Sequence, residues 1–102
     1  MKIVKLSHPN YEYDVHSLVK AFYAEEQVTV ITQETKPEKM AELEPQASLE
    51  IELGETGAKI RVGEEDFLWD VEMETIADGY KNGLKRFLYR TLSKVTGQNL
   101  PW

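Results

Sequence analysis

The sequence predicts an α+β domain, a two-layer sandwich in which two helices cover one face of a four-stranded, mostly antiparallel sheet. Two observations predict this class. Residues 71–96 place apolar side chains at helical spacing, and residues 47–62 alternate apolar and polar side chains around a turn that contains two glycines. An amphipathic helix and a half-buried sheet each have one apolar face, and a small domain buries both by packing them together. The expected element order is β-α-β-β-β-α.

Length and composition set the limits of this fold. A chain of 102 residues with 41% apolar residues holds one core, so residues 1–102 are expected to form a single domain. The chain has no cysteine, which excludes disulfides, thiolate zinc sites, cysteine nucleophiles and iron–sulfur clusters held by its own thiolates. No apolar run reaches membrane-spanning length and no secretory signal precedes the domain, so a cytoplasmic location is expected.

The first third of the chain predicts a strand, a helix and a second strand. Residues 2–6 are partly β-branched and end at a turn that contains Pro9. Apolar residues then recur at helical spacing, which predicts a helix that begins after Asn10 as its N-cap and ends near Glu26. The β-branched residues of 27–33 predict the second strand.

Residues 34–46 are expected to form an exposed connecting loop. The segment contains Pro37 and Pro45 and is rich in charged residues, as mobile loops often are. A short helix over residues 37–43 is the alternative, because Met40 and Leu43 are three residues apart.

Residues 47–53 and 58–62 predict a β-hairpin with a defined register. A four-residue turn would place every apolar side chain opposite another apolar side chain and both acids opposite bases. A slip of one residue would destroy both patterns, so the register is strongly specified. The expected pairs are Leu53 with Ala58, Glu52 with Lys59, Ile51 with Ile60, Glu50 with Arg61, and Leu49 with Val62.

The last helix is expected to run from Val71 to Thr96. Asp70 is placed to cap its first turn, and Gly97 can adopt the left-handed conformation that ends a helix. The preceding segment, residues 63–69, is expected to be a solvated connection whose aromatic residues fold back under the first helical turn.

Charge is unevenly distributed along the chain. The net charge is −6, but residues 1–80 carry 18 acids and 7 bases, whereas residues 81–102 carry five bases and no acid. The basic end has two interpretations: it complements the helix dipole, or it forms a docking surface for acidic groups. Gly79 and Gly83, four residues apart, could let another backbone approach the same side of the helix. The candidate docking surface consists of Gly79, Gly83, Arg86, Arg90, Lys94 and Trp102.

No set of residues in the sequence predicts a catalytic or metal site. His8 and His16 have no third ligand at a suitable spacing, and consecutive acids such as Glu64 and Glu65 cannot point into one pocket. No glycine-rich phosphate loop follows a strand, and no serine lies in a nucleophile elbow. The acidic net charge, and the outward Glu50 and Glu52 of the hairpin, argue against nucleic-acid binding.

The end of the chain resembles a known family. The segment Lys94-Val-Thr-Gly-Gln-Asn-Leu-Pro-Trp102 follows a long helix with Leu88 and Leu92 on its inner side. It is similar to the N-terminal region of oxygen-independent coproporphyrinogen III oxidase-like (coproporphyrinogen dehydrogenase) radical SAM proteins, in which a similar helix ends in Thr-Gly and then Pro-Trp before the catalytic part. The segment Phe22-Tyr-Ala-Glu-Glu26 also looks like the first helix of that family.

The resemblance implies that the chain is an excised N-terminal accessory domain in haem biosynthesis. Its partner would be the missing C-terminal catalytic domain, and it would dock on that domain or lie near its tetracarboxylate substrate. S-adenosylmethionine and an iron–sulfur cluster held by three closely spaced cysteines would belong to the missing part, and no cofactor or catalytic residue would belong to this chain. A terminal Pro101-Trp102 fits this expectation, because a large aromatic residue there needs a further element to bury it.

Two alternatives stay open at this point. The chain could be a free-standing protein-interaction module that uses an exposed Tyr89 and Trp102 as its contact. The fragment could also form a homodimer through surfaces that a neighbouring domain would otherwise cover.

Overall fold

The computed structural model describes residues 1–54, 57–70 and 75–101, and the side chains of its last helix from residue 79 onward. The chain forms five strands and three α-helices in the described ranges, with short 3₁₀ turns at residues 9–11 and 44–46. The elements are β1 (Lys2–Leu6), α1 (Glu12–Phe22), β2 (Val28–Ile31), α2 (Pro37–Leu43), β3 (Leu49–Gly54), β4 (Gly57–Val62), β5 (Glu65–Asp70) and α3 (Thr75–Thr96).

The strands form one mixed sheet in the order β2-β1-β3-β4-β5. β1 pairs in parallel with β2 on one side and with β3 on the other, while β3–β4 and β4–β5 are antiparallel. The α+β class is confirmed. The expectation of four mostly antiparallel strands is wrong in detail, because the described residues contain a fifth strand and half of the strand pairings are parallel.

The fifth strand lies where a solvated connection was expected. β5 pairs with β4 from Val62 opposite Glu65 to Gly57 opposite Asp70. Its Trp69 is buried and Phe67 packs on the core, whereas Leu68 between them is 77% exposed. Three acids and an outward leucine obscure the two-residue alternation, so the sequence gives this strand only a weak signal.

The hairpin prediction is confirmed at all five expected pairs, from Leu49 opposite Val62 to Leu53 opposite Ala58. The ion pairs agree only in part. Lys59 lies 3.6 Å from Glu52 as expected, but Arg61 binds Asp66 of β5 with its Nε 2.8 Å from the carboxylate. This hydrogen bond holds the pKa of Asp66 below its ordinary value of 3.8.

The two predicted helices, α1 and α3, lie on one face of the sheet as expected, and α2 adds a helix on the other face. One face of the sheet packs against α1 and α3 in the main core. On the other face α2 forms a smaller cluster, in which Leu43 packs on Ile3 and Ile31. α2 therefore replaces the expected loop at residues 34–46, and the alternative of a short helix over residues 37–43 has the observed bounds.

The bounds of α1 and α3 differ from those expected. α1 begins at Glu12 and ends at Phe22. The N-cap acceptor is the side chain of His8 rather than that of Asn10, and it caps the 3₁₀ turn that precedes α1. Asp70 is the last residue of β5, and the described part of α3 starts at Thr75, so the amides of the expected cap at Asp70 lie outside the described ranges. The expected helical residues 71–74 lie outside the described residues.

Two glycines shape α3. Gly79 adopts φ 80° and ψ 161°, so the helix is interrupted there. Gly97 adopts φ 72° and ends the helix as expected, with its amide donating to the carbonyl of Ser93.

Candidate functional site

The basic residues of α3 divide into two groups. Lys81 and Lys85 face α1, where both lie within 4.0 Å of the carboxylate of Asp14. Arg86, Arg90 and Lys94 follow each other at four-residue spacing and so lie along one side of the helix. We call these three residues the basic stripe. The ammonium of Lys94 lies 6.0 Å from the ring centre of Phe67, which places this end of the stripe beside β5.

The two glycines of the predicted docking surface have different environments. Gly83 is buried, and a Cβ atom there would lie 2.4 Å from the indole of Trp69. The close approach that its glycine permits is therefore made by the chain's own β5, which removes Gly83 from any docking surface. Gly79 is exposed and interrupts the helix, so the two glycines do not share one continuous helical flank. Trp102 lies outside the described residues.

The segment after α3 folds back onto the two helices. The Tyr89 hydroxyl donates to the carbonyl of Leu100, and the Gln98 side-chain amide donates to the carbonyl of Phe22 at 3.0 Å. Leu100 is partly buried against the main core, and the Tyr89 ring packs edge-on against Phe22 with 5.5 Å between ring centres. Tyr89 therefore stabilises the fold, which weakens the alternative that it forms an exposed contact.

A second candidate site lies at the carboxyl ends of β1 and β3. These strands are parallel neighbours, yet β1 leads through α1 towards β2, whereas β3 turns into β4 on its other side. The chain thus diverges between the two strand ends and leaves a cleft of about 440 Å³. It is lined by His8, Asn10, Tyr11, Leu53, Gly54 and Tyr80. We call it the β1–β3 cleft.

Hydrogen bonds hold the chain at the carboxyl end of β1 against β3, next to the β1–β3 cleft. The Ser7 amide donates to the carbonyl of Ile51 at 3.0 Å, and the Leu53 amide donates to the Ser7 hydroxyl at 2.9 Å. The serine that follows β1 therefore extends the pairing with β3 beyond the strand itself. The loop that carries His8 leaves from this fixed point.

Two tyrosines form the aromatic wall of the cleft. The rings of Tyr11 and Tyr80 lie 5.7 Å apart, and the ring of Tyr80 also contacts Trp69. The Tyr80 hydroxyl donates to the carbonyl of Gly57 at 3.2 Å. Burial, and to a smaller degree the neighbouring Tyr11, raise the pKa of Tyr80, so its phenol stays protonated and uncharged at neutral pH.

The sequence predicted neither the cleft nor its residues. The cleft depends on β1 and β3 being neighbours, and strand order cannot be read from hydrophobic periodicity. His8 and Asn10 were recognised only as turn and cap residues. The two histidines lie in separate places, because His8 lines the cleft whereas His16 Nε2 lies 3.0 Å from the carbonyl of Val28 in β2. The described residues bring together no group of three metal-ligating side chains.

No protein-family model matches the chain, and no curated protein matches it. In the part of the chain that the structure describes, none of the helices has both the length and the apolar character that crossing a bilayer requires.

Proposed function

We propose that this chain is a non-catalytic accessory domain of a radical SAM protein that resembles the coproporphyrinogen III oxidases. The observation that carries the proposal is the segment Thr96-Gly97 followed by Pro101-Trp102, which resembles the end of the N-terminal region in that family. The iron–sulfur cluster and S-adenosylmethionine would bind to the catalytic domain, the partner onto which this domain docks.

The conformation of the segment supports this proposal, because it explains why these residue types follow the helix. The Thr96 hydroxyl donates to the carbonyl of Leu92 at 2.7 Å and accepts from the amide of Gln98 at 3.2 Å, while Gly97 supplies the positive φ. Tyr89 and Gln98 then hold the following residues against α1 and α3. These contacts hold the chain in a defined path up to Pro101. A domain that must be oriented towards a neighbouring domain requires such a path.

The basic stripe is the surface that we propose for docking. Arg90 and Lys94 are exposed, and they belong to residues 81–102, which carry five bases and no acid. Such a stripe would attract acidic groups of the catalytic domain or a carboxylate-rich substrate nearby. The glycines, in contrast, have no part in the proposed surface.

The first test is the reading frame beyond codon 102. A Cys-x3-Cys-x2-Cys run there, the usual source of the cluster's three thiolates in the family that the chain resembles, would support the proposal. A stop codon would contradict it and favour the free-standing interaction module.

The second test is charge reversal in the full-length protein with its cluster loaded. We expect Arg90→Glu with Lys94→Glu to lower the S-adenosylmethionine-dependent oxidation of coproporphyrinogen several-fold, because each change puts an acid against an acidic partner surface. Lys36→Glu with Lys39→Glu is the matched control, since it changes the net charge equally at two exposed residues near α2. Equal rates for both double variants would count against the basic stripe, and full activity after deletion of residues 1–96 would refute the accessory role.

A further inference from the structure

We propose that the β1–β3 cleft binds a small aromatic carboxylate, with its ring against Tyr11 and Tyr80 and its carboxylate at His8. The position of the cleft is the first reason. Parallel strands place their carboxyl ends at the same edge, and a crevice forms where the chain leaves two neighbouring strands in opposite directions. Ligands of open sheets with parallel strands bind in such crevices. The inference is independent of the accessory role.

The aromatic wall of the cleft determines which kind of ring the ligand carries. Tyr11 is half-buried and Tyr80 is fixed by its hydrogen bond to Gly57 and its contact with Trp69, so the two rings are held in place before a ligand arrives. Leu53 completes the apolar part of the lining. Flat rings gain more from such a wall than saturated rings of equal size, because aromatic pairs attract each other beyond the effect of buried area.

The polar end of the cleft determines which kind of charged group the ligand carries. His8 Nδ1 accepts from the Asn10 amide at 3.3 Å, so the neutral imidazole carries its proton on Nε2. Within the described residues, neither this Nε2 nor the side-chain amide of Asn10 has a hydrogen-bond partner. None of the described lining residues is acidic, although the chain contains 18 acids. A carboxylate there meets two donors, and none of the lining residues that the structure describes is acidic.

The volume limits the size of the ligand. A cleft of about 440 Å³ falls in the lower part of the range for small-molecule sites. A bicyclic ring with one carboxylate fits these dimensions. For a ligand of about 12 non-hydrogen atoms we expect a Kd on the order of 1 mM.

The test uses three probes and the chemical shifts of backbone amides in the ¹⁵N-labelled chain. Indole-3-carboxylate carries the ring and the charge, indole carries the ring alone, and cyclohexanecarboxylate carries the charge on a saturated ring. We expect indole-3-carboxylate to shift the amides of His8, Asn10, Tyr11 and Gly54 with millimolar affinity, indole to bind several-fold more weakly, and cyclohexanecarboxylate to cause no saturable shift. Equal shifts from both carboxylates, or shifts centred on other residues, would overturn the proposal.

Three variants assign the two halves of the site. His8→Ala, at an exposed residue, should weaken indole-3-carboxylate several-fold and leave indole unchanged. Tyr11→Leu should weaken both, and Tyr13→Leu, at a tyrosine that is 82% exposed and outside the cleft, should weaken neither. Because Tyr11 also packs on the core, its variant is interpreted only if its melting temperature stays near that of the parent chain. Unchanged binding of indole-3-carboxylate to His8→Ala would refute the carboxylate assignment.

Discussion

At the scale of single residues, Gly83 sets the distance between α3 and the sheet. The indole of Trp69 occupies the position where a side chain at residue 83 would begin, and a Cβ there would lie 2.4 Å from Cζ2 of the indole. Trp69 stacks on Phe87 one helical turn further on, with ring centres 5.9 Å apart. The sequence suggested that Gly79 and Gly83 could let another backbone approach the helix, but it could not show that the chain's own tryptophan side chain packs at Gly83.

This packing predicts that one substitution has different effects in two backgrounds. Gly83→Ala should lower the free energy of unfolding by about 1–3 kcal/mol, because the added methyl overpacks against Trp69. In a Trp69→Phe background the smaller ring leaves room for the methyl group. There Gly83→Ala should lower the free energy of unfolding by less, or raise it by up to about 1 kcal/mol, because alanine has a higher helix propensity than glycine. Urea unfolding of the four chains measures both effects. An equal cost in the two backgrounds would show that the indole is not the cause.

At the scale of elements, the hairpin was predictable and β5 was not. Two patterns specify the same register between β3 and β4. Apolar residues lie opposite each other on one face of the hairpin, and Glu52 lies opposite Lys59 on the other face. In β5 only Phe67 and Trp69 indicate the register, and they lie between acidic residues that are also common in turns. An edge strand needs a partner on one side only, and one ladder with β4 stabilises a sequence that shows little alternation.

The helix α2 was the less favoured interpretation of its segment because its apolar side is short. Leu43 is 7% exposed and packs with Met40 and Ala47 over Ile3 and Ile31. The charged residues that suggested a loop lie on its outer side. The sequence shows two apolar residues three apart, and only the uncovered second face of the sheet gives them a place to pack.

We expect Leu43→Ala to lower the free energy of unfolding by about 2–3 kcal/mol, because it removes the main anchor of α2. Glu42→Ala, at the exposed neighbouring residue, should change it by less than about 0.5 kcal/mol. Denaturant unfolding gives both values, and amide exchange should be faster over residues 37–43 in the first variant alone. If both variants have the same stability, α2 does not anchor through Leu43.

At the scale of the whole molecule, the layers were predictable but the arrangement was not. Periodicity shows which side of each element is apolar, and so predicts that α1 and α3 pack on a sheet. It does not show that β1 lies between β2 and β3, because β-branched strands fit either side of a neighbour equally well. The β1–β3 cleft follows entirely from that order, and for this reason its residues could not be grouped in advance.

The segment after α3 connects distant parts of the molecule, and Tyr89 is its main anchor. We expect Tyr89→Phe to lower the free energy of unfolding by about 1 kcal/mol, because it removes the hydrogen bond to the carbonyl of Leu100. The ¹H–¹⁵N heteronuclear NOE should fall for residues 98–100 and stay constant in α3. Tyr13→Phe, at an exposed hydroxyl, is the control and should change neither measurement. An unchanged NOE in Tyr89→Phe would mean that Gln98 and Leu100 hold the segment without it.

The place of β1 between two parallel neighbours also determines when the sheet can assemble. Both partners of β1 follow it in the chain, so β1 needs residues 28–31 before it has one partner and residues 49–51 before it has both. Each of these parallel pairings closes a long loop, which is slow compared with the local closure of a hairpin. The two pairings of β1 are therefore expected to form later than the β3–β4 hairpin, and until then Val4 and Leu6 depend on α1 for cover.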